Sequence, residues 1–330
     1  MRPKFSIIIP VYNVAPYLEA CLRSVVAASD KLRMVSDEWA TEIICVDDGS
    51  TDGSGEILDA WAARWGHRAL PQGEVRIIHQ ANAGVSAARN VALEAAAGEW
   101  IAACDPDDEV KPDWLLHFYE AICAHPEVRF FWTDIVCEDN GKSSVRDESY
   151  DKDALELIDE VIRGQFWGGM VNKVYHRETL NAHGIRCPMA RVHSREDVIL
   201  CCRYLLTQPL VHHIPHADYV YKIRKGSLIH HGRRPSFQED LLLYAEFERV
   251  LGDGRFELPL RYLRQELRYG WYNRLEISHE DFAQTFPDVK NTSLLTRPFR
   301  HCVLFWLSAH GLRPYVLGFL RILRKMRGLT

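Results

Sequence analysis

The chain has 330 residues, 47% of them hydrophobic and 26% charged, with a formal net charge of −5. This is the composition of a globular protein with ample apolar residues for one large or two modest domains, and the acidic balance excludes a general nucleic-acid binder. Nine cysteines show neither metal-finger spacing nor a paired framework, which points to a reducing compartment, and no run reaches the ~18 apolar residues of a membrane span.

In chain order, strands and helices alternate. Phe5 to Ile9 is a continuous apolar, β-branched run, predicting a buried strand and too short for a signal peptide. Residues 16–27 follow with helical spacing: Tyr17, Leu18, Cys21, Leu22, Val25, Val26. Residues 43–46 read as the second strand, 53–65 as the second helix and 75–79 as the third strand. Residues 86–97 are Ala-rich and helical, with Gly98 where a C-terminal cap belongs. Residues 100–104 are the fourth strand, 112–124 the fourth helix and 130–136 a fifth strand. Residues 138–155 are polar and read as a loop, 154–221 mix helices with short strands, and the pattern is mostly helical from Gln238. Wholly apolar strands, each followed by a helix, predict an α/β fold with a mostly parallel sheet covered on both faces. Functional groups on such a sheet gather at the carboxyl ends of its strands. That rule sets Tyr12-Asn13, Asp47-Asp48 and Asp105 to Asp108 along one rim.

The sharpest of these is Asp105-Pro106-Asp107-Asp108. Three carboxylates at the end of a buried strand repel one another. A divalent cation would neutralise them, since Mg²⁺ or Mn²⁺ binds through one or two carboxylates and completes its shell with phosphate oxygens. The plain alternative is a solvated acidic turn opening the next helix. The tail has a different character. After Asp288 there is no acidic residue, and Arg297, Arg300, Arg313, Arg321, Arg324, Lys325 and Arg327 alternate with apolar and aromatic side chains. A basic amphipathic helix of this kind suits an anionic membrane surface.

Four motifs occur in order: Pro10-Val11-Tyr12-Asn13, Asp47-Asp48-Gly49-Ser50-Thr51-Asp52, Asn82-Ala83-Gly84 running to Arg89-Asn90, and Asp105-Pro106-Asp107-Asp108. Each ends a predicted strand, and together they resemble the family 2 glycosyltransferases. The resemblance covers about residues 4–125 strongly and continues more loosely to about 230. It implies a GT-A fold, Rossmann-like, over residues 1–230, with a nucleotide-binding half at about 1–136 and an acceptor half at about 137–230. A helical C-terminal region with the basic tail would occupy 231–330. Against the family pattern, the link from the first helix to the second strand is extended through Ser29 to Ala40.

The resemblance also implies roles. Pro10, Val11, Tyr12 and Asn13 would border the nucleotide base, and one of Asp47 and Asp48 would accept the uracil imide N–H. Asp52 would cap the following helix. Asn82, Gly84 and Arg89 would lie at the donor, Arg89 pairing with the diphosphate or with a rim aspartate. Asp105 would sit near the ribose and Asp107 would bind Mn²⁺ or Mg²⁺, with Asp105 beside it and Pro106 replacing the usual small polar residue. Asp197 would be the catalytic base, and Glu196 would help orient it or the acceptor. Trp167, Asn172, Lys173 and Tyr175 precede that pair as in many members acting on polysaccharides. Tyr219, Tyr221, Arg224 and Ser227 match a further pattern that would cover the donor phosphates. Nearby His212, His213, His216, His230 and His231 offer a further metal or diphosphate ligand. The implied activity is inverting, metal-assisted transfer of a hexosyl or N-acetylhexosaminyl group from a UDP-sugar to a hydroxyl of a glycan or lipid-linked acceptor in cell-surface polysaccharide synthesis. The implied location is the cytoplasmic membrane face, peripherally held, with homo-oligomer contacts possible at the extended link. Rival readings are a sugar nucleotidyltransferase, which would favour a Gly-rich basic loop absent from residues 10–16, and a non-catalytic protein of the same fold. A dehydrogenase is disfavoured because no G-x-G-x-x-G follows the first strand.

Overall fold

The computed structural model describes residues 4–65, 75–148, 153–189, 195–224 and 236–260, with isolated positions 263, 264, 267, 312 and 315. The first half builds as its pattern predicts. Strands β1 (Phe5–Val11), β2 (Thr41–Asp47), β3 (Val75–His79) and β4 (Trp100–Ala103) alternate with helices α1 (Ala15–Val35), α2 (Ser54–Trp65) and α3 (Val85–Ala95). All four strands are parallel in the order β3-β2-β1-β4, and Phe5 aligns with both Thr41 and Trp100. Because side chains alternate along a strand, Phe5, Ile7, Ile9 and Val11 pack under Leu18, Cys21, Leu22 and Val25 of α1. Ile8 and Ile101 face Ala88, Ala92 and Leu93 of α3.

The second half is less regular. It contains β5 (Glu109–Val110), α4 (Trp114–Ala124), β6 (Phe130–Asp139), β7 (Lys142–Arg146), α5 (Ala154–Arg163), β8 (Lys173–His176), α6 (Arg177–Ala182), α7 (Glu196–Leu205), β9 (His212–Ile223) and α8 (Phe237–Leu251). The sheet continues from β4 through β8, β6 and β9 to β5, with β7 on β6. β8 runs antiparallel to both neighbours, Tyr175 facing Ile101 on one side and Phe130 on the other. β6 and β9 are parallel, with register shifts either side of Asp134, a bulge that bends the pair. α1, α2 and α4 cover one face of the sheet, and α3, α5, α7 and α8 the other.

Three expectations are corrected. The extended link is mostly helix: α1 runs on to Val35 because Ala28, Ser29 and Leu32 keep burying its inner face. Only residues 36–40 connect it to β2, and Trp39 packs there between Phe5 and Tyr119, with ring centroids 5.3 and 4.8 Å away. The polar stretch after residue 138 is not a plain loop but a β6–β7 hairpin turning at Asn140 and Gly141, both at positive φ. Gly98 is not a helix cap, since α3 ends at Ala96 in extended backbone. Its lack of a side chain serves close packing, because a Cβ there would lie 2.5 Å from Ser6 Oγ. The basic tail and residues 225–235 lie outside the described residues, apart from Leu312 and Tyr315 in the tail. Among the described residues no helix is long and apolar enough to cross a membrane.

Candidate active site

The carboxyl ends of β1 and β2 are bound together first. Asn13 takes a left-handed turn at φ 51°, and its side-chain oxygen accepts the Thr51 N–H at 2.8 Å while its own N–H donates to Ser50 Oγ. Asp52 accepts from Ser54 N–H at the start of α2, as expected of a cap, and reaches across to the Ala15 N–H that opens α1. Tyr12, 49% exposed, borders this turn.

The two aspartates at the end of β2 are both buried and differ in their partners. Asp48 is buried and spends both oxygens on the Asn-Ala-Gly loop, accepting from Gln80 Nε2 and Ala83 N–H on one and from Gly84 N–H on the other, at 2.7–2.8 Å. Asn82 donates back to the Asp48 carbonyl. Asp47 accepts from Ser50 on one oxygen and bonds His79 Nδ1 with the other. Burial would raise its carboxyl, but the bonds from Ser50 and His79 outweigh that and hold it below the usual value.

At the end of β4 the acidic triplet splits in the same way. Asp108 is buried, accepting from the Tyr219 hydroxyl at 2.7 Å and the Lys222 N–H at 2.9 Å. Burial, then the neighbouring Asp105 and Asp107, push it up to about 8. Tyr219 also accepts the Asp105 N–H, so β9 closes over the motif. Pro106 is buried. Asp107 is 33% exposed, and its one charged partner among the described residues is Arg224 at 3.6 Å, whose guanidinium lies over the Tyr17 ring.

Arg89, buried on α3, joins the two halves. It donates to Glu196 at 2.5 Å and to Asp105 at 3.2 Å. Burial opposes its charge, but Asp105, Asp197 and Glu196 hold it firmly protonated. The same crowding raises Glu196, through burial first and Asp197 second, with Arg89 opposing. Asp197 is half-buried in the first turn of α7, where the helix N-terminus favours a carboxylate. A Cβ on Gly169 would meet Asp197 Oδ2 at 3.1 Å and Trp167 Nε1 at 2.8 Å. Glu196, Arg89 and Asp105 thus form one chain of contacts. Pro10, Val11, Tyr12, Asn13, Asp47, Asp48, Asn82 and Gly84 stand on the adjoining strand ends.

The described histidines have other partners. His212 lies against His125, His213 bonds Asp134 and His216 stacks on His117; His230, His231 and Ser227 lie outside the described residues. No group of three or more His, Cys, Asp or Glu is arranged as a metal site among the described residues. A hard cation completed by phosphate oxygens needs only one or two carboxylates, and the partly exposed Asp107 and Asp105 fit that donor set. Sequence reasoning missed how Lys173 and Glu148 act. Both are buried, and both hold the backbone of Trp167, at its carbonyl and its N–H. Burial lowers Lys173 to about 8.

Solved structures share this architecture. S. aureus TarS 1–349 in complex with UDP superposes with a TM-score of 0.65 at 19% identity, covering 96% of this chain and 91% of that one. The mannosyltransferase PcManGT from Pyrobaculum calidifontis, in complex with GDP-Man and Mn²⁺, gives 0.55 at 20%, covering 96% and 88%. The fold is therefore the GT-A fold of glycosyltransferases. The family described as glycosyl transferase family 2 matches residues 6–196, and the chain belongs to it. The putative glycosyltransferase EpsH of Bacillus subtilis is 28% identical over 246 residues, 73% of this chain and 67% of EpsH. The glycosyltransferase YibD of Escherichia coli is 42% identical over 110 residues, 33% of this chain and 27% of YibD. The chain thus spans about a quarter of YibD.

Proposed function

We propose that the chain transfers a sugar, with inversion, from a UDP-sugar to a hydroxyl of a glycan or lipid-linked acceptor in cell-surface polysaccharide synthesis. The observation that carries this reading is the Arg89 fork, which ties Asp105 on the donor rim to Glu196, the neighbour of Asp197. It fits a donor held on one side of a base that takes the acceptor proton on the other. One of Asp47 and Asp48 would accept the uracil imide beside Tyr12 and Val11, and the three bonds from Gln80, Ala83 and Gly84 that already hold Asp48 favour Asp47. Asp107, with Asp105, would hold Mn²⁺ or Mg²⁺, which when bound offsets the charge of the departing diphosphate. Arg224 beside Asp107 adds a second cation for that charge. The UDP and GDP-Man complexes of the two structural relatives support a nucleotide-sugar donor.

Calorimetry of UDP with and without Mn²⁺ tests the donor half. Metal-dependent binding by the wild type that disappears in Asp107→Ala is expected, and metal-independent binding would remove Asp107 from its role. Asp197→Asn tests the base: UDP binding stays within about twofold, while transfer from a panel of UDP-sugars falls by ~10²–10⁴, the usual worth of a general base. Retained transfer, or lost UDP binding, in that variant refutes the assignment.

A further inference from the structure

Trp167 stands beside the proposed base with an unspent donor. Its indole N–H is buried and has no hydrogen-bond partner among the described residues. A buried donor without a partner is uncommon and calls for an explanation. The Trp100 and Trp114 indoles share this condition, but they lie wholly within the core, whereas Trp167 is half-buried near the rim. Trp132, deeper in the sheet, satisfies its N–H on the Glu148 carbonyl.

The position of Trp167 is fixed from several sides. Its backbone N–H donates to Glu148 at 2.8 Å and its carbonyl accepts from Lys173 at 2.6 Å. Its ring meets Tyr221 edge-on at 5.1 Å and carries the Arg146 guanidinium at 5.4 Å. Nε1 and Asp197 Oδ2 both lie against Gly169, 2.8 and 3.1 Å from where a Cβ would stand, so a side chain there would crowd both. Two buried ionisable groups therefore fix the backbone of Trp167, while its unpartnered N–H and the carboxylate of the proposed base both border Gly169.

We propose that the Trp167 N–H and the Asp197 carboxylate together hold one hydroxyl of the acceptor sugar, making Trp167 a residue that selects and orients the acceptor. The inference rests on the reading of Asp197 as the base. The hydroxyl donates to Asp197 and accepts from the indole, leaving an oxygen lone pair free for attack. As the new bond forms to the anomeric carbon, the bond from that carbon to the diphosphate oxygen breaks. Its electron pair leaves with the diphosphate, and the hydroxyl proton passes to Asp197.

The test is saturation-transfer NMR on protein loaded with UDP and diamagnetic Mg²⁺, titrated with the methyl α- and β-glycosides of glucose, galactose, mannose and N-acetylglucosamine. At least one glycoside is expected to bind the wild type saturably. Trp167→Phe keeps an aromatic side chain but removes the indole N–H together with the pyrrole part of the ring, and should weaken that glycoside at least about 5–10-fold, the scale of one hydrogen bond, with UDP affinity within twofold. Gly169→Ala should abolish glycoside binding while UDP still binds. UDP binding with no glycoside bound by the wild type, or equal glycoside affinity in Trp167→Phe, overturns this inference alone. A wild type that fails to bind UDP overturns the donor reading and this inference with it.

Discussion

Gly98 is held in place by what surrounds it. Its N–H donates to Ser6 Oγ at 2.8 Å and to the buried Glu42 carboxylate at 3.0 Å, which also accepts the Ala97 N–H and the Ser6 hydroxyl. A methyl group there would lie 2.6 Å from the Ser6 backbone nitrogen as well, so the turn into β4 would have to shift. Gly98→Ala should therefore lose about 2 kcal/mol in a denaturant melt, within the usual range for overpacking, whereas a pure helix cap would show a smaller effect at this non-αL position. The residue was legible as a stop signal, but its reason was not, because Ser6 and Glu42 come from distant parts of the chain. The role of Lys173 was illegible for a similar reason: besides the neighbouring Asn172 side chain, its partners are the backbone carbonyls of Trp167 and Val171, which a sequence does not display. Its ammonium is charged below about 8 and the usual lysine value is 10.5, so the unfolded chain binds more protons between those limits. Stability should rise with pH across that window, by up to ~1.4 kcal/mol per pH unit. The readout is wild type minus Lys173→Met, which cancels the opposite trend from buried thiols and phenols, and a difference flat with pH would contradict the assignment.

Among the elements, the parallel half was readable because β1, β2 and β4 carry apolar runs buried on both faces, and the half-buried edge strand β3 still keeps the apolar Val75, Ile77 and Ile78. The mixed half hid its strands. β5 has two residues, β8 includes a buried lysine, and β7 is polar and exposed along most of its length. The hairpin did leave a signal, since Asn140-Gly141 is a favoured two-residue turn between paired strands. With Gly141 at φ 76°, Gly141→Val should cost about 1–3 kcal/mol of local strain, read as faster amide exchange in β7 while β1 and β2 keep their protection. Unchanged exchange would mean that the turn does not hold β7. α5 opens with a capping box, in which Asp153 accepts the Glu156 N–H and Glu156 returns to the Asp153 N–H. Asp153→Ala should cost about 1 kcal/mol in overall stability, and no measurable change would show that the box contributes little.

For the whole molecule, the rim motifs were legible as an ordered set because four strand ends carry them. The contacts that unite them were not, since Arg89 reaches 107 positions along the chain to Glu196. The tail belongs to this scale as well. Arginines set among aromatics, with no acid after Asp288, should bring the full chain down with vesicles containing phosphatidylglycerol but not with pure phosphatidylcholine, and 0.5 M salt should release it. Equal recovery with both vesicle types would remove the electrostatic account. The reversed strand β8 has a consequence in time. During synthesis β4 emerges with one edge bare, and the strand that fills it begins only at Lys173. The Tyr219 hydroxyl that covers the acidic motif comes later still. At ribosomal speeds that interval is roughly ten seconds, during which a nascent chain shows its unsealed sheet edge and its bare carboxylates to the cell before it has anything to close over them.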